Sequence, residues 1–202
     1  MTDILNAATL ASAPVSELRA ALLELICTVA YQEGEFTLSS GQKSAYYING
    51  KQVTLHPQGG LMVGRILLDL LPTETVGVGG LTLGADPLVT AVSIVGAYQG
   101  RWMTPLIVRK EAKGHGTQAY IEGPGLPVGS PVVVLEDVVT TGQSALKAIS
   151  RLRAAGYAVN QVLALVDRQQ GGAELYAREG LGFQAVYTIA ELQAHWRTLH
   201  PK

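Results

Sequence analysis

The run Val132-Val133-Val134-Leu135 leads without a break into Glu136-Asp137-Val138-Val139-Thr140-Thr141-Gly142-Gln143-Ser144. Four apolar residues, three of them β-branched, read as a short strand buried on both faces, of the kind found in parallel sheets. The spacing predicts that this strand ends at the two carboxylates and that a small-residue turn follows. A helix then covers 143–155, with Leu146, Ile149 and Leu152 on one side. A strand that feeds a helix through such a turn aims backbone N–H groups and the positive end of the helix dipole at one spot, which suits a phosphate.

Three phosphate-binding patterns compete for this stretch. A P-loop needs Gly-x-x-x-x-Gly-Lys before Ser or Thr, and residues 136–144 hold no lysine. A dinucleotide fingerprint needs Gly-x-Gly-x-x-Gly, and Gly77-Val78-Gly79-Gly80-Leu81-Thr82 fails at its last position. Two acids followed by Thr-Thr-Gly-x-Ser suit a sugar phosphate: hydroxyls and amides hold the phosphate, and carboxylates face ribose hydroxyls and magnesium. The simpler alternative is a strand-to-helix turn whose acids only favour the helix N-terminus.

Residues 1–14 are small and weakly patterned and read as a loose arm. Ser16 is placed to cap a helix over 17–31, striped by Leu18, Leu22, Leu25, Ile26 and Val29 and ended by Gly34. Alternation on either side of Ser40-Gly41 predicts a hairpin, with Tyr46 and Tyr47 partly buried. A second amphipathic helix covers 56–71 and is closed by Pro72. Thr75-Val76-Gly77-Val78 reads as a first central strand, leading into a glycine-rich loop over 79–87 that permits close approach of backbone to a ligand. Asp86 is placed to cap a helix over 87–98, with Pro87 at its first position.

The buried strand 105–108 runs straight into Arg109-Lys110-Glu111-Ala112-Lys113-Gly114-His115-Gly116-Thr117-Gln118. Three cations against one anion give this segment +2, in a chain whose net charge is -1. A solvated loop is the simple reading. Glycines on both sides of His115 add the freedom of a lid that closes over an anion. Residues 120–125 return the chain as strand and turn. Gly156 stops the helix that follows Gln143, and a strand over 159–166 ends in Asp167-Arg168. Arg168 either pairs with Asp167 or faces a ligand at the C-terminal edge of the sheet. A helix over 173–179, a strand over 184–187 and a helix over 189–198 complete the chain, with His195 and Trp196 in packing or surface positions. Regular alternation predicts one doubly wound α/β domain over 1–202, a parallel sheet flanked by helices.

The acid pair with its Thr-Thr-Gly-Gln-Ser turn resembles the phosphoribosyl pyrophosphate motif of the type I phosphoribosyltransferases. The spacing Arg-Lys-x-x-Lys-x-His, at Arg109, Lys110, Lys113 and His115, resembles the catalytic lid of the orotate-specific members, which purine-specific relatives do not usually share. The likeness runs from about Phe36 to Arg168 and, more loosely, to the C-terminus. It implies transfer of a 5-phosphoribosyl group from phosphoribosyl pyrophosphate to orotate, with Mg2+ as cofactor. It also implies an N-terminal helix and hood hairpin over 15–50 that packs over the pyrimidine, a core over 51–202, a lid at 109–118, and a homodimer that shares the lid across its interface.

By the same resemblance, Arg109, Lys110, Lys113, His115, Glu136, Asp137, Val138, Val139, Thr140, Thr141, Gly142, Gln143 and Ser144 bind phosphoribosyl pyrophosphate. Lys113, Asp137 and Glu136 carry catalysis, and Thr140 and Arg168 hold orotate. Magnesium takes its ligands from substrate and water, with Asp137 reaching it through water. Three departures are visible: Glu136 stands where many members have aspartate, Ser39 stands where many have lysine, and no lysine lies near Leu83.

Composition sets outer limits. At 202 residues, 48% hydrophobic and 15% charged, the chain has the balance of a soluble globular protein with a full core. Its net charge argues against general attraction to nucleic acid or anionic membrane. No apolar run approaches the ~20 residues of a membrane helix. The start, Met1-Thr2-Asp3-Ile4, lacks the positive region of a signal peptide. The single Cys27 cannot form an internal disulfide and reads as a buried thiol. A cytoplasmic protein is expected.

Overall fold

In the computed structural model, which describes residues 7–37, 41, 43–112 and 120–201, part of the supposedly loose N-terminal arm is helical. Helix α1 (Ala7–Ser12) buries Leu10, and Ala13 beyond it is buried too. Arg65 donates to the Leu10 and Ala13 carbonyls, each at 2.7 Å. Hydrogen bonds from a charged donor contribute roughly 1.5–3 kcal/mol each, enough to hold a helix too short to persist alone. Helix α2 (Val15–Val29) starts earlier than a Ser16 cap requires: Pro14 occupies the N-cap and Ser16 lies inside the first turn. It also ends earlier than expected, because Tyr31 is drawn into the core and opens strand β1 (Tyr31–Thr37). Gly34 therefore lies inside a strand. β1 pairs antiparallel with β2 (Lys43–Ile48), forming the expected hairpin.

After α3 (Lys51–Thr54) comes α4 (Pro57–Leu70), whose N-cap is His56: the ring Nδ1 accepts from Gly59 N at 3.4 Å. Strand β3 (Gly77–Leu81) begins two residues later than the sequence suggests and takes in Gly79 and Gly80, which are not loop. Packing is the reason. A Cβ on Gly80 would lie 2.4 Å from the Leu135 carbonyl oxygen, so only glycine lets these strands close. Helix α5 (Asp86–Tyr98) includes Asp86 rather than being capped by it, and the Asp86 carboxylate instead accepts from the Thr82 hydroxyl at 2.6 Å.

The remaining elements follow the predicted alternation: β4 (Thr104–Val108), β5 (Ile121–Glu122), β6 (Val132–Val139), α6 (Gln143–Ala154), β7 (Gln161–Asp167), α7 (Gly172–Arg178), β8 (Gly182–Thr188) and α8 (Ile189–Leu199). β6 is longer than expected. It runs through Glu136 and Asp137 to Val139, because backbone pairing with β7 continues past the apolar run as far as Asp167.

The strands are ordered β5-β4-β3-β6-β7-β8, all parallel except β5. Leu88, Val89, Val92 and Val95 of α5 join one core, with residues of α2, α4 and α8. Ala145, Ala148, Ile149 and Leu152 of α6 join a second core on the opposite face, with Tyr176 of α7. The chain leaves β3 toward one face and β6 toward the other. Adjacent parallel strands whose connections diverge in this way open a crevice at their C-terminal ends, where ligands bind in such sheets. Among the described residues no helix is long and apolar enough to cross a membrane.

Candidate active site

The crevice is built first by the turn from β6 to α6. Gly142, at the N-cap of α6, has φ +83°, and a Cβ there would lie 3.0 Å from ring atoms of Tyr176. The left-handed conformation calls for glycine, and the Tyr176 ring leaves little room for a side chain. No side chain caps α6, so its first-turn N–H groups and dipole are open to an anion. Thr141, Gln143 and Ser144 are exposed beside them, and Thr140 is half-buried.

Glu136 and Asp137 are both buried, each 8% exposed. Two glycines from separate loops pack against Asp137: a Cβ on Gly84 would lie 2.5 Å from its Oδ1, and one on Gly50 3.0 Å from its Oδ2. Asp137 Oδ1 also accepts from Val138 N at 2.9 Å. Glu136 Oε2 is buried with no partner among the described residues. Burial first, and the neighbouring Asp137 charge second, push the Glu136 carboxyl up to about 8, against a lowering pull from Lys110.

Arg168 follows β7 at the same edge and is 8% exposed. It does not pair with Asp167, whose Oδ1 accepts from Gln169 N at 2.8 Å. Instead Arg168 Nε donates to Tyr46 Oη at 3.0 Å, and its guanidinium carbon lies 4.9 Å from the centroid of that ring. Tyr46 also accepts from Gln170 Nε2 at 3.4 Å and stacks on Tyr31, with ring centroids 5.8 Å apart. Tyr31 in turn meets Trp196 edge-on, so Trp196 is a packing residue. Tyr46 is the contact of Arg168 that sequence reading undervalued. The two tyrosines are not both partly buried as expected: hairpin alternation puts them on opposite faces, Tyr46 buried and Tyr47 43% exposed.

The basic segment leaves β4 at the same end of the sheet. Arg109 N donates to Tyr120 O at 2.7 Å, and the Arg109 side chain pairs with Glu122 at 3.1 Å instead of facing the acids. Lys110 is exposed and is the cation that Glu136 senses. Lys113 and His115, like Ser39, lie outside the described residues. Acid pair, phosphate turn and Arg168 are thus gathered at one edge, while Arg109 is turned aside.

No protein-family model matches the chain. Over 189 residues it is 68% identical to the orotate phosphoribosyltransferase of Nostoc sp., spanning 94% of this chain and 92% of that protein. Over 197 residues it is 59% identical to that of Synechocystis sp., spanning 98% and 99%. Among solved structures, Mycobacterium tuberculosis orotate phosphoribosyltransferase in complex with 5-phospho-alpha-D-ribosyl 1-diphosphate is similar with a TM-score of 0.73 at 36% identity, covering 87% of this chain and 99% of that one. Likeness of this degree over nearly the whole chain shows the family: the chain belongs to the orotate phosphoribosyltransferases.

Proposed function

We propose that the crevice between β3 and β6 is where phosphoribosyl transfer to orotate takes place, with the residues above in the following roles. The enzyme transfers the 5-phosphoribosyl group from phosphoribosyl pyrophosphate to orotate, a step of pyrimidine biosynthesis. The bond from ribose C1 to the diphosphate oxygen breaks and a bond from C1 to orotate N1 forms. Orotidine 5-phosphate and pyrophosphate leave. Positive charge builds on the sugar ring while negative charge builds on the departing group, as in glycoside chemistry.

Arg168 carries the reading. Its Nε is occupied by Tyr46, which leaves the two terminal nitrogens to grip a planar carboxylate such as that of orotate, with Thr140 beside it. Thr140 to Ser144, reached through Val138 and Val139, seat the 5-phosphate on backbone N–H groups and hydroxyls, supplying binding energy remote from the reacting bond. Glu136 and Asp137 face the ribose hydroxyls and the developing positive charge. Lys110, Lys113 and His115 neutralise the diphosphate, Lys113 most of all, and Arg109 joins them by giving up its exposed pair with Glu122. Orotate N1 enters as an anion, so no general base is needed there.

Magnesium fits this site as a hydrated ion. Two adjacent carboxylates, one with an unpartnered buried oxygen, can hold its waters. Among the described residues no group of three or more His, Cys, Asp or Glu comes together to cage it directly. When bound, with Asp137 reaching it through water, it supplies Lewis-acid neutralisation of the diphosphate oxygens.

A homodimer is supported by apolar surface beside the site, and sharing of the lid across its interface is what the family resemblance implies. Leu55, Leu83 and Ile94 are 70%, 69% and 54% exposed and line a groove of about 680 Å³. Single-domain organisation over 1–202 and a cytoplasmic location complete the reading. The test is spectrophotometric: orotate must be consumed only with phosphoribosyl pyrophosphate and magnesium present. Preferential turnover of hypoxanthine or uracil would overturn the substrate assignment.

A further inference from the structure

Arg151 lies in the last turn of α6, far from the phosphate turn, yet its side chain reaches back to the sheet edge. Helical side chains lean toward the N-terminus of their helix, which gives it that direction. One terminal nitrogen donates to the Arg109 carbonyl and the other to the Lys110 carbonyl, the second at 2.9 Å. Its guanidinium carbon sits 3.9 Å from the centroid of the Tyr120 ring. Tyr120 O accepts from Arg109 N, so the two ends of the basic segment meet at this spot. Carbonyls of two consecutive residues on one guanidinium are a forked contact that a lysine cannot reproduce. Beyond the end of β4 these carbonyls have no sheet partner, and Arg151 takes that place.

We propose that Arg151 is a positioning residue that acts through Lys110, an inference that rests on the diphosphate-neutralising role given to Lys110 above. The helix that carries Arg151 is the one whose N-terminus seats the sugar phosphate. The backbone under Lys110 is thereby referenced to the substrate's fixed end, and not only to β4. Arg109 is held by the same fork, but its side chain is turned to Glu122, so Lys110 is the cation whose backbone this contact places for the diphosphate. Displacing a charge-stabilising group by an ångström costs rate even when the group itself is intact.

The experiment is a double-mutant cycle on kcat with full-length enzyme: Arg151→Ala, Lys110→Ala and the pair, with Arg151→Lys and Tyr120→Leu as milder probes of the same contact. Arg151→Ala is expected to lower kcat about tenfold with the KM for orotate unchanged. Combined with Lys110→Ala it is expected to add little, since both changes remove one interaction. Arg151→Lys is expected to fold and to recover only part of the loss. Additive losses, or a wild-type kcat in Arg151→Ala or Arg151→Lys, would overturn the proposal. Failure of the underlying functional reading would show separately, as wild-type enzyme that leaves orotate and phosphoribosyl pyrophosphate unconsumed.

Discussion

Tyr46 Oη accepts a hydrogen bond from Arg168 Nε at 3.0 Å, tying the N-terminal hairpin to the C-terminal edge of the sheet across 122 residues of chain. The ring below the guanidinium and the oxygen at its inner nitrogen leave the outer edge of Arg168 in one orientation. Tyr46→Phe keeps the ring and removes the acceptor. A hydrogen bond from a charged donor is worth roughly 1.5–3 kcal/mol, so the KM for orotate is expected to rise about tenfold or more. The KM for phosphoribosyl pyrophosphate should stay put. Steady-state kinetics with each substrate varied in turn checks both.

Glu136 gives the folded enzyme a pH signature. Its carboxyl is raised from an ordinary 4.5 to about 8 by burial and by Asp137. Between those values the substrate-free native state keeps a proton that the unfolded chain has lost. The stability associated with that proton is fully present below the unfolded value and is lost as pH rises through the folded one, at roughly 1 kcal/mol per pH unit. Glu136→Gln, which cannot ionise, removes this dependence. Melting temperatures measured from pH 5 to pH 8 should therefore show the variant gaining on wild type as pH rises. A constant difference would mean that Glu136 is ionised in the native state.

Gly84 is expected to tolerate no side chain. A Cβ 2.5 Å from Asp137 Oδ1 forces either the loop after β3 or the carboxylate to move. Overpacking of this kind costs about 1–3 kcal/mol of stability, and the displaced carboxylate no longer meets the ribose. Gly84→Ala should lower kcat/KM for phosphoribosyl pyrophosphate and lower Tm together. Wild-type values for both would separate Gly84 from the acid pair.

Periodicity and turn chemistry made most of the fold legible. The strand at 132–135, the helix from Gln143 and the stop at Gly156 all needed only local pattern. Local pattern failed where a distant partner decides. The helix α1 depends on Arg65, the extension of β6 through its carboxylates depends on β7, and the inclusion of Gly79 and Gly80 in β3 depends on close strand packing. At the site, the acid pair and phosphate turn are contiguous in sequence and were readable. The roles of Tyr46, Gly50 and Arg151 exist only after folding, because each acts on a residue more than forty positions away.

Lys113 lies outside the described residues, and its expected role is what the resemblance of residues 109–115 to the family's lid implies. Removing one preorganised donor to developing charge costs about 3 kcal/mol, so Lys113→Ala should lower kcat roughly a hundredfold. Binding of phosphoribosyl pyrophosphate, followed by calorimetry, should weaken far less. Equal losses in both would make the lysine a ground-state contact only.

Recognition of the base's carboxylate by Arg168 is the claim most open to a direct check. Uracil is the same ring without that carboxylate, so the decisive measurement is the ratio of kcat/KM for orotate to that for uracil, in wild type and in Arg168→Ala. Wild type is expected to favour orotate strongly, and the variant to lose most of that preference through a higher KM for orotate. An unchanged ratio in Arg168→Ala would contradict the account and return Arg168 to a structural role under Tyr46.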